Sequence, residues 1–569
     1  MPSKPTRETQ HDPIVDRAVA EHGPDIVAVY RAVERERGHV SADAIGTAAD
    51  LFKISDAQAF GVASFYSMFS TRPRARKIIR VCDSPACQLK GAAKTRAAIE
   101  AAAGGDWRVE RSSCLGLCDR APALLVGEQS CGPLTPDRAA DALNGWRGEH
   151  PTYAESLPGE VRVTLARIGK IDPDSIASAI DAGAYQALKQ ALGGAPSEVI
   201  KIVEAAGVQG RGGAGFPVGR KWKFVAETQS AQKYVVCNFD ESEPGTFKDR
   251  VIVDGDPHLL LEGMALGAYA VGADAGYIYI RGEYAWIAER LERAIAQAEA
   301  NGWLGSNIQG SGFSFNVHVH RGAGAYICGE ESALLESLEG RRGEPRIRPP
   351  YPTTHGYLGK PTVVNNVESF CTVPPLVQRG ADWYRSMGTA NSPGVKVFTV
   401  FGDVTRPCAF EAPYGITLRR IIDHFGGGMR QGSQFKMALA GGAAGTIVSA
   451  AMLDIPLDGA LGRQGVGLGS GAMFILDTAV SAPQLLYWLL QFFEFESCGK
   501  CTPCREGTRE ARVAVERIAT GKGRAGDVEE LKRLASLLGS ASFCGLGQSV
   551  AMPIESALKH FGAEFAPKE

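Results

Sequence analysis

The sequence predicts a multidomain α/β protein with a helical segment at each end, and three observations lead there. At 569 residues the chain exceeds what one hydrophobic core sustains. Apolar residues recur at three- and four-residue intervals over 14–70 and again after Pro483, while short β-branched runs and glycine-rich loops fill the middle. Eight of the 13 cysteines fall into two spaced sets, Cys82, Cys87, Cys114 and Cys118 in one and Cys498, Cys501, Cys504 and Cys544 in the other.

Residues 1–75 read as an N-terminal helical segment. VDRAVAEHGPDIVAVYRAVERERG and SADAIGTAADLF carry the helical period, and Ser41 with Asp43 makes a helix start. The period then changes. KIIRV (77–81) is an apolar strand, followed by a cysteine loop and a helix from about Lys90 to Ala103. WRVERSS and APALLVG are further strands, and a helix beginning near Pro136 closes the unit. Over 76–150 this order suits a small thioredoxin-like α/β domain with its cysteines on loops at strand ends. GEHPTYAESLPGE (148–160) is a polar linker. Alternating strands and helices predict an α/β domain over 161–390. VKVFTVFGDV (395–404) opens a β-branched section, 391–480, which with the helix ITLRRIIDHFG resembles a compact β-grasp (ubiquitin-like) domain. LLYWLLQFFEF, REGTREARVAVERIATG and VEELKRLASLLG make 481–569 a helical bundle carrying the second cysteine set. The most apolar stretch, Ala472–Phe493, contains Asp477, Pro483 and Gln484, which predicts a buried helix rather than a membrane span.

A formal net charge of −2 makes no electrostatic case for nucleic acid or anionic membrane as a partner. MPSKPTRETQHDP has no apolar core and no small-residue cleavage site, so it does not read as a secretory signal. Cysteines in ligand patterns point to a reducing compartment, and a soluble cytoplasmic protein is expected.

The spacing C-x2-C-x2-C at Cys498, Cys501 and Cys504 places three thiolates in one loop, as three corners of a [4Fe–4S] cubane require. Cys544, in the glycine-flanked turn ASFCGLG, can supply the fourth. Structural zinc is the rival, but it usually takes its ligands as two separated pairs. Cys82 and Cys87 (C-x4-C), then Cys114 and Cys118 (C-x3-C) after 26 residues, supply four thiolates from two loops, enough for a [2Fe–2S] rhomb. Zinc or a disulfide pair are the alternatives there. Cys131, Cys237, Cys328, Cys371 and Cys408 show no partner pattern and read as small buried hydrophobes.

Between the cysteine sets lies Gly210-Arg-Gly-Gly-Ala-Gly-Phe-Pro, a G-x-G-x-x-G loop whose backbone N–H groups can approach a phosphate. A helix (EVIKIVEAAG) precedes it instead of the strand of a dinucleotide-binding unit, so a plain glycine turn is the competing reading. Arg220 and Lys221 add cations; Phe216, Trp222 and Phe224 add flat faces. The strand KYVVC runs into Asn238-Phe-Asp-Glu-Ser-Glu-Pro-Gly245, crowding polar groups where ligands sit in α/β sheets. GAGAYICGEE (322–331) and Asn365-Asn366 are two more such clusters. Paired carboxylates also allow a hydrolase, although solvated loop charge is the commoner outcome. His318 and His320 alternate along VHVH and share one face of a strand, in a structural role, with no third ligand near for a metal.

Taken together, GRGGAGFPVGRKW, NFDESEPGTFKDR, GAGAYICGEESALLESLEG, KPTVVNNVE and ESCGKCTPCREG resemble the NADH-binding flavoprotein subunit of respiratory complex I and its soluble relatives, over about 161–569. The first 150 residues resemble the thioredoxin-like [2Fe–2S] subunit of that complex, here fused in one chain. The resemblance implies FMN held by Gly210, Arg211, Gly212, Gly213, Lys221, Asn238, Asp240, Gly329, Glu330, Asn365 and Asn366. It implies NAD(H) stacked on the flavin, with Phe216, Phe224, Glu243, Tyr326 and Glu331 lining its site, Glu241 beside the flavin, and Tyr351 at the adenine where relatives often have phenylalanine. No side chain need act as acid or base, because the flavin carries the hydride chemistry. The fusion is similar to the diaphorase subunits of soluble NAD-dependent formate dehydrogenases and NAD-reducing hydrogenases, and the beta subunit of the former, whose molybdenum- or tungsten-pterin alpha subunit oxidises formate, is the favoured reading. NAD-reducing hydrogenase, complex I itself and a non-catalytic electron-transfer scaffold are the alternatives.

Overall fold

The computed structural model describes residues 11–459 and 465–567. Four helices open the chain: α1 (Pro13–His22), α2 (Ile26–Arg37), α3 (Ala42–Phe52) and α4 (Asp56–Phe65). Each starts on a side chain that accepts the first free N–H groups, Asp12, Asp25, Ser41 and Ser55, and Gln58 completes a capping box with Ser55. Their apolar faces bury Val15, Val27, Tyr30, Val33, Ala48 and Val62. These helices also pack on the central unit. Tyr66, after α4, donates to Ser337 Oγ at 2.7 Å, and Asp25 faces His320 Nδ1 at 2.9 Å.

Three sheets follow. The first contains β1 (Lys77–Cys82), β2 (Trp107–Ser112), β3 (Leu124–Val126) and β4 (Gln129–Cys131) in the order β2-β1-β3-β4. The β1–β2 pair is parallel and the other two antiparallel, the mixed order expected of a thioredoxin-like unit. The second is wholly parallel: β5 (Tyr234–Phe239), β6 (Ala275–Ile280), β7 (Asn316–Arg321) and β8 (Thr362–Asn366) in the order β7-β6-β5-β8. Its strands read as near-continuous apolar runs because helices cover it, notably Pro257–Val271, which is buried along almost its whole length. The third contains β9 (Val395–Gly402), β10 (Cys408–Pro413), β11 (Phe435–Ala440), β12 (Thr446–Ser449) and β13 (Ala472–Asp477), ordered β10-β9-β13-β11-β12. Its own core includes Phe398, Phe410 and Phe425, with the last two rings stacked at 3.9 Å. The chain ends in packed helices at Ala482–Glu496, Thr502–Ala519, Asp527–Ala541 and Ala551–Phe561.

Two sequence expectations change. The apolar stretch Ala472–Phe493 is not one helix: it is β13, then a break at 478–481, then the helix Ala482–Glu496. Ser481 caps that helix and Pro483 sits in its first turn, so the same residues that argued against a membrane span also start a new element. ITLRRIIDHFG gives only a short turn at Leu418–Arg420 that widens into a π-helix at Ile421–Phe425. Among the described residues no helix is long and apolar enough to cross a membrane.

His318 and His320 do share a face of β7, over Tyr277 and Tyr279 respectively. His320 is buried and ties the N-terminal helices to the parallel sheet through Asp25. Burial alone would push the Asp25 carboxyl up; the charge and hydrogen bond of His320, with Arg31 nearby, outweigh it and hold Asp25 well below the usual 3.8. A depressed folded-state value stabilises the fold above the unfolded pKa and is lost as pH falls. Replacing Asp25 by Asn is therefore expected to lower the thermal unfolding midpoint at pH 7, by a loss of about 1–3 kcal/mol for a charged hydrogen bond. The gap between the two proteins should close as the pH is taken below about 4, measured by parallel melts.

Candidate functional site

The parallel sheet has one place where the chain order reverses, between β5 and β8, and a cavity of about 670 Å³ opens there at the carboxyl ends of the strands. In-register pairing sets Asn238 of β5 against Asn366 of β8 and Cys237 against Asn365. The Asn238 side chain reaches across to the carbonyl of Gly329 at 2.8 Å, and Asn365 accepts from the buried Trp222 indole at 2.9 Å. Opposite them runs the glycine loop, where Gly213 and Gly215 adopt positive φ and a Cβ on Gly210 would press to 3.1 Å from the Phe216 carbonyl. The helix Val218–Glu227 follows directly and aims its N-terminus at this loop, an arrangement that suits a phosphate. Lys221 Nζ lies 3.1 Å from Glu331 and 2.9 Å from the carbonyl of Val364. Phe216, Phe224 and Tyr351 stand half-exposed at the rim.

Gly210, Arg211, Gly212, Phe216, Lys221, Phe224, Asn238, Gly329, Glu330, Glu331, Tyr351, Asn365 and Asn366 all line this cavity. Arg211 contributes backbone only, because its guanidinium is buried and donates to Tyr384 Oη at 2.6 Å and the Val395 carbonyl at 2.8 Å. Glu330 caps the helix Glu331–Leu338 and pairs with Arg348, which also reaches Glu331. Arg348, Thr353, Ser369 and Gly545 are wall residues that motif reading did not find. Gly545 had a signal available, its place beside Cys544.

Gly213, Asp240, Glu241, Glu243 and Tyr326 do not line this cavity. Gly213 faces Gly469 of the third-sheet unit. Asp240 lies behind Gly329; burial raises its carboxyl to about 8, and only Oδ1 has a partner, Ser242. Glu241 turns away to accept the N–H groups of Asp249 and Arg250 at 2.7 and 2.9 Å. Glu243 accepts from Ala444 N at 3.2 Å, against the glycine turn of the third-sheet unit. Tyr326 packs on Phe492, and its N–H donates to Glu496 at 2.8 Å. The physical reason is common to the two glutamates: a buried carboxylate takes the orientation that supplies donors, which residue order does not reveal.

The two cysteine sets form separate clusters, the second of them beside the cavity. Cys82, Cys87, Cys114 and Cys118 are all buried, and Cys114 and Cys118 Sγ lie 3.6 Å apart. Two thiolates on one tetrahedral metal at about 2.3 Å stand roughly 3.8 Å apart, so this pair suits one iron. Hydrogen bonds from Cys118 and Cys82 hold the Cys114 thiol well below its ordinary value. Cys498, Cys501, Cys504 and Cys544 line one small cavity together with Ile327, Phe543 and Leu546. Burial pushes Cys504 up to about 12 and Cys544 to about 11, so each stays a thiol until a metal takes the proton's place. Ile327 is on this cavity and Gly329 on the large one; Cys544 is on this cavity and Gly545 on the large one. The two spaces share those walls.

This arrangement defines a flavin- and iron–sulfur-dependent NADH-binding module. The Nuo51 FMN-binding domain family matches residues 203–375, the SLBB domain family 397–447, the NADH-ubiquinone oxidoreductase-F iron–sulfur binding region 484–568, and the thioredoxin-like [2Fe–2S] ferredoxin family 14–147. The second F-type subunit of the NADH-quinone oxidoreductase of Rhizobium meliloti (strain 1021) is 47% identical over 385 residues, 67% of this chain and 91% of that one. A subunit of the NADP-reducing hydrogenase of Solidesulfovibrio fructosivorans is 42% identical over 407 residues, 71% of this chain and 83% of that one. A chain of an NAD⁺-reducing [NiFe]-hydrogenase crystal structure superimposes with a TM-score of 0.82 at 32% identity, covering 96% of this chain and 94% of its own. The chain belongs to the family of NADH-quinone oxidoreductase F-type subunits, and its cofactors are FMN, NAD(H), a [2Fe–2S] and a [4Fe–4S] cluster.

Replacing Lys221 by Met is expected to weaken FMN retention at least about tenfold by loss of one charge-assisted contact, read as flavin absorbance per chain after gel filtration. Cys118→Ser should abolish the [2Fe–2S] signal in electron paramagnetic resonance (EPR) and leave the [4Fe–4S] signal, with Cys544→Ser doing the reverse.

Proposed function

We propose that this chain is the diaphorase subunit of a soluble, cytoplasmic, NAD-dependent formate dehydrogenase. The observation that carries the diaphorase reading is that near-neighbours in the chain, Ile327 and Gly329, and Cys544 and Gly545, line the cysteine cavity and the large cavity respectively, which puts a nucleotide-sized site next to a cluster site. Bound FMN supplies hydride exchange with nicotinamide and one-electron exchange with clusters. The chain's own residues bind and orient. The glycine loop and the helix Val218–Glu227 take the flavin phosphate, Asn238, Asn365 and Asn366 meet its polar edges, and Lys221 supplies a positive charge beside it. Phe216, Phe224 and Tyr351 offer faces to the nicotinamide and adenine rings, with Glu331 held between Lys221 and Arg348 at the same wall. Cys498, Cys501, Cys504 and Cys544 hold the [4Fe–4S] cluster on the route to the partner, and Cys82, Cys87, Cys114 and Cys118 hold the [2Fe–2S] cluster. The same proposal divides the chain at 1–75, 76–150, 161–390, 391–480 and 481–569.

The partner in this reading is a molybdenum- or tungsten-pterin subunit that oxidises formate; the fusion of the thioredoxin-like unit to the flavin unit in one chain fits this reading and the hydrogenase one alike. A second reading, the diaphorase of an NAD-reducing hydrogenase, is favoured by the hydrogenase chain that matches 96% of this one, fused unit included. Metal analysis of the native complex separates them. Molybdenum or tungsten in near-stoichiometric amount is expected, and nickel in its place transfers the assignment to hydrogenase. The isolated FMN-loaded chain is expected to reduce an artificial dye with NADH; flavin bound without that activity would leave only an electron-transfer scaffold.

A further inference from the structure

The loop that leaves β5 at the cavity continues to the first cysteine set. Gly245 N–H donates to Cys118 Sγ at 3.2 Å, joining the flavin-binding unit to the thioredoxin-like one. Within its own loop Cys114 Sγ accepts from Gly116 N–H at 3.4 Å. Gly245 has φ +93°, and a Cβ there would lie 2.3 Å from Cζ of Phe401, on β9. The third-sheet unit thus leaves room only for glycine at this turn, and Thr399 of β9 donates to the Gly245 carbonyl at 2.7 Å.

The rest of the Cys114–Cys118 loop is gripped from the same side. Arg281, just past β6, donates to the carbonyl of Cys114 and, at 2.5 Å, to that of Glu241, while pairing with Glu283 at 2.8 Å. Arg250 donates to the Gly116 carbonyl at 3.1 Å and to Asp119 at 2.8 Å. Tyr284 Oη sits where a Cβ on Gly116 would be, 1.8 Å away. All three side chains are fully buried or nearly so.

We propose that the flavin-binding unit sets the reduction potential of the [2Fe–2S] centre, with Gly245 N–H as a donor to Cys118 and Arg281 as the positioning residue for the cysteine loop. The reduced cluster is more negative than the oxidised one, so a donor to ligand sulfur and a cation fixed beside it stabilise the reduced form and raise its potential. Burial strengthens both effects. Because the donor comes from the loop that follows β5, the potential belongs to the assembled chain and not to residues 76–150 alone. The inference rests on the reading that Cys82, Cys87, Cys114 and Cys118 hold this cluster.

The test is an EPR redox titration of the full-length, cluster-loaded chain. Gly245→Ala is expected to lower the [2Fe–2S] potential by about 59 mV, a tenfold change in a one-electron equilibrium, while the [4Fe–4S] potential stays in place. Arg281→Gln is expected to lower it in the same sense, and Arg281→Lys to recover most of the loss. A [2Fe–2S] potential unmoved in loaded Gly245→Ala and Arg281→Gln overturns the inference. No [2Fe–2S] signal in the unmodified chain sinks the ligand assignment instead. If Gly245→Ala does not hold its cluster, the unmodified chain labelled with ¹⁵N-glycine decides. Pulsed EPR should then show two coupled glycine nitrogens, the stronger from Gly245 at 3.2 Å and the weaker from Gly116 at 3.4 Å, and absence of the stronger coupling rejects Gly245 as donor.

Discussion

Arg281 holds the molecule's redox parts in register. Its guanidinium, fully buried just past a strand of the parallel sheet, bonds at once to Glu283, to the backbone of the loop that leaves the cavity and to the backbone of a cysteine loop from another sheet. A buried guanidinium is tolerated only when its donors are met by charge and carbonyls in fixed geometry. Meeting that demand forces the thioredoxin-like unit and the flavin-binding unit into one relative placement. Arg250 with Asp119, and Tyr284 over Gly116, complete the joint.

A second charged group anchors the other wall. Glu368 lies among Lys248, Lys396 and Arg211; burial alone would raise its carboxyl, but the three cations bring it to about 2. Lys248 also donates to Asn366, and Asn366 to Asp249, so the polar edge of the cavity rests on an interior ion network and not on solvent. This preorganises the wall before any ligand arrives. It also explains why Arg211, a cation in a phosphate-type loop, turns inward: Glu368, Tyr384 and Val395 claim its side chain.

Much of this is legible in order along the chain. The N-terminal helices announce themselves by period and by Ser41 as a cap, and β5 by an apolar run that leads into Asn238. The stretch before Pro483 misleads in one respect, because a strand and a helix of similar apolarity look alike when joined without an obvious turn. Side-chain direction is the weaker inference. Glu241 and Glu243 stand two residues apart in the same loop as Asp240, yet one caps a helix and the other crosses to the third-sheet unit, each drawn by N–H groups that its neighbours in the loop do not supply.

What the sequence by itself determined is the inventory: two cysteine sets with cluster spacings, a glycine loop ahead of a helix, and the asparagines and glutamates that belong with them. Spacing suffices there because ligand geometry within a loop is a local property. Tertiary structure alone decided which groups share a wall, that Gly545 places the second cysteine set beside the cavity, and that Gly245 carries an N–H from the flavin-binding unit to Cys118. Those relations depend on strand order and on where buried charges find partners, contacts between residues more than a hundred positions apart that no local pattern encodes.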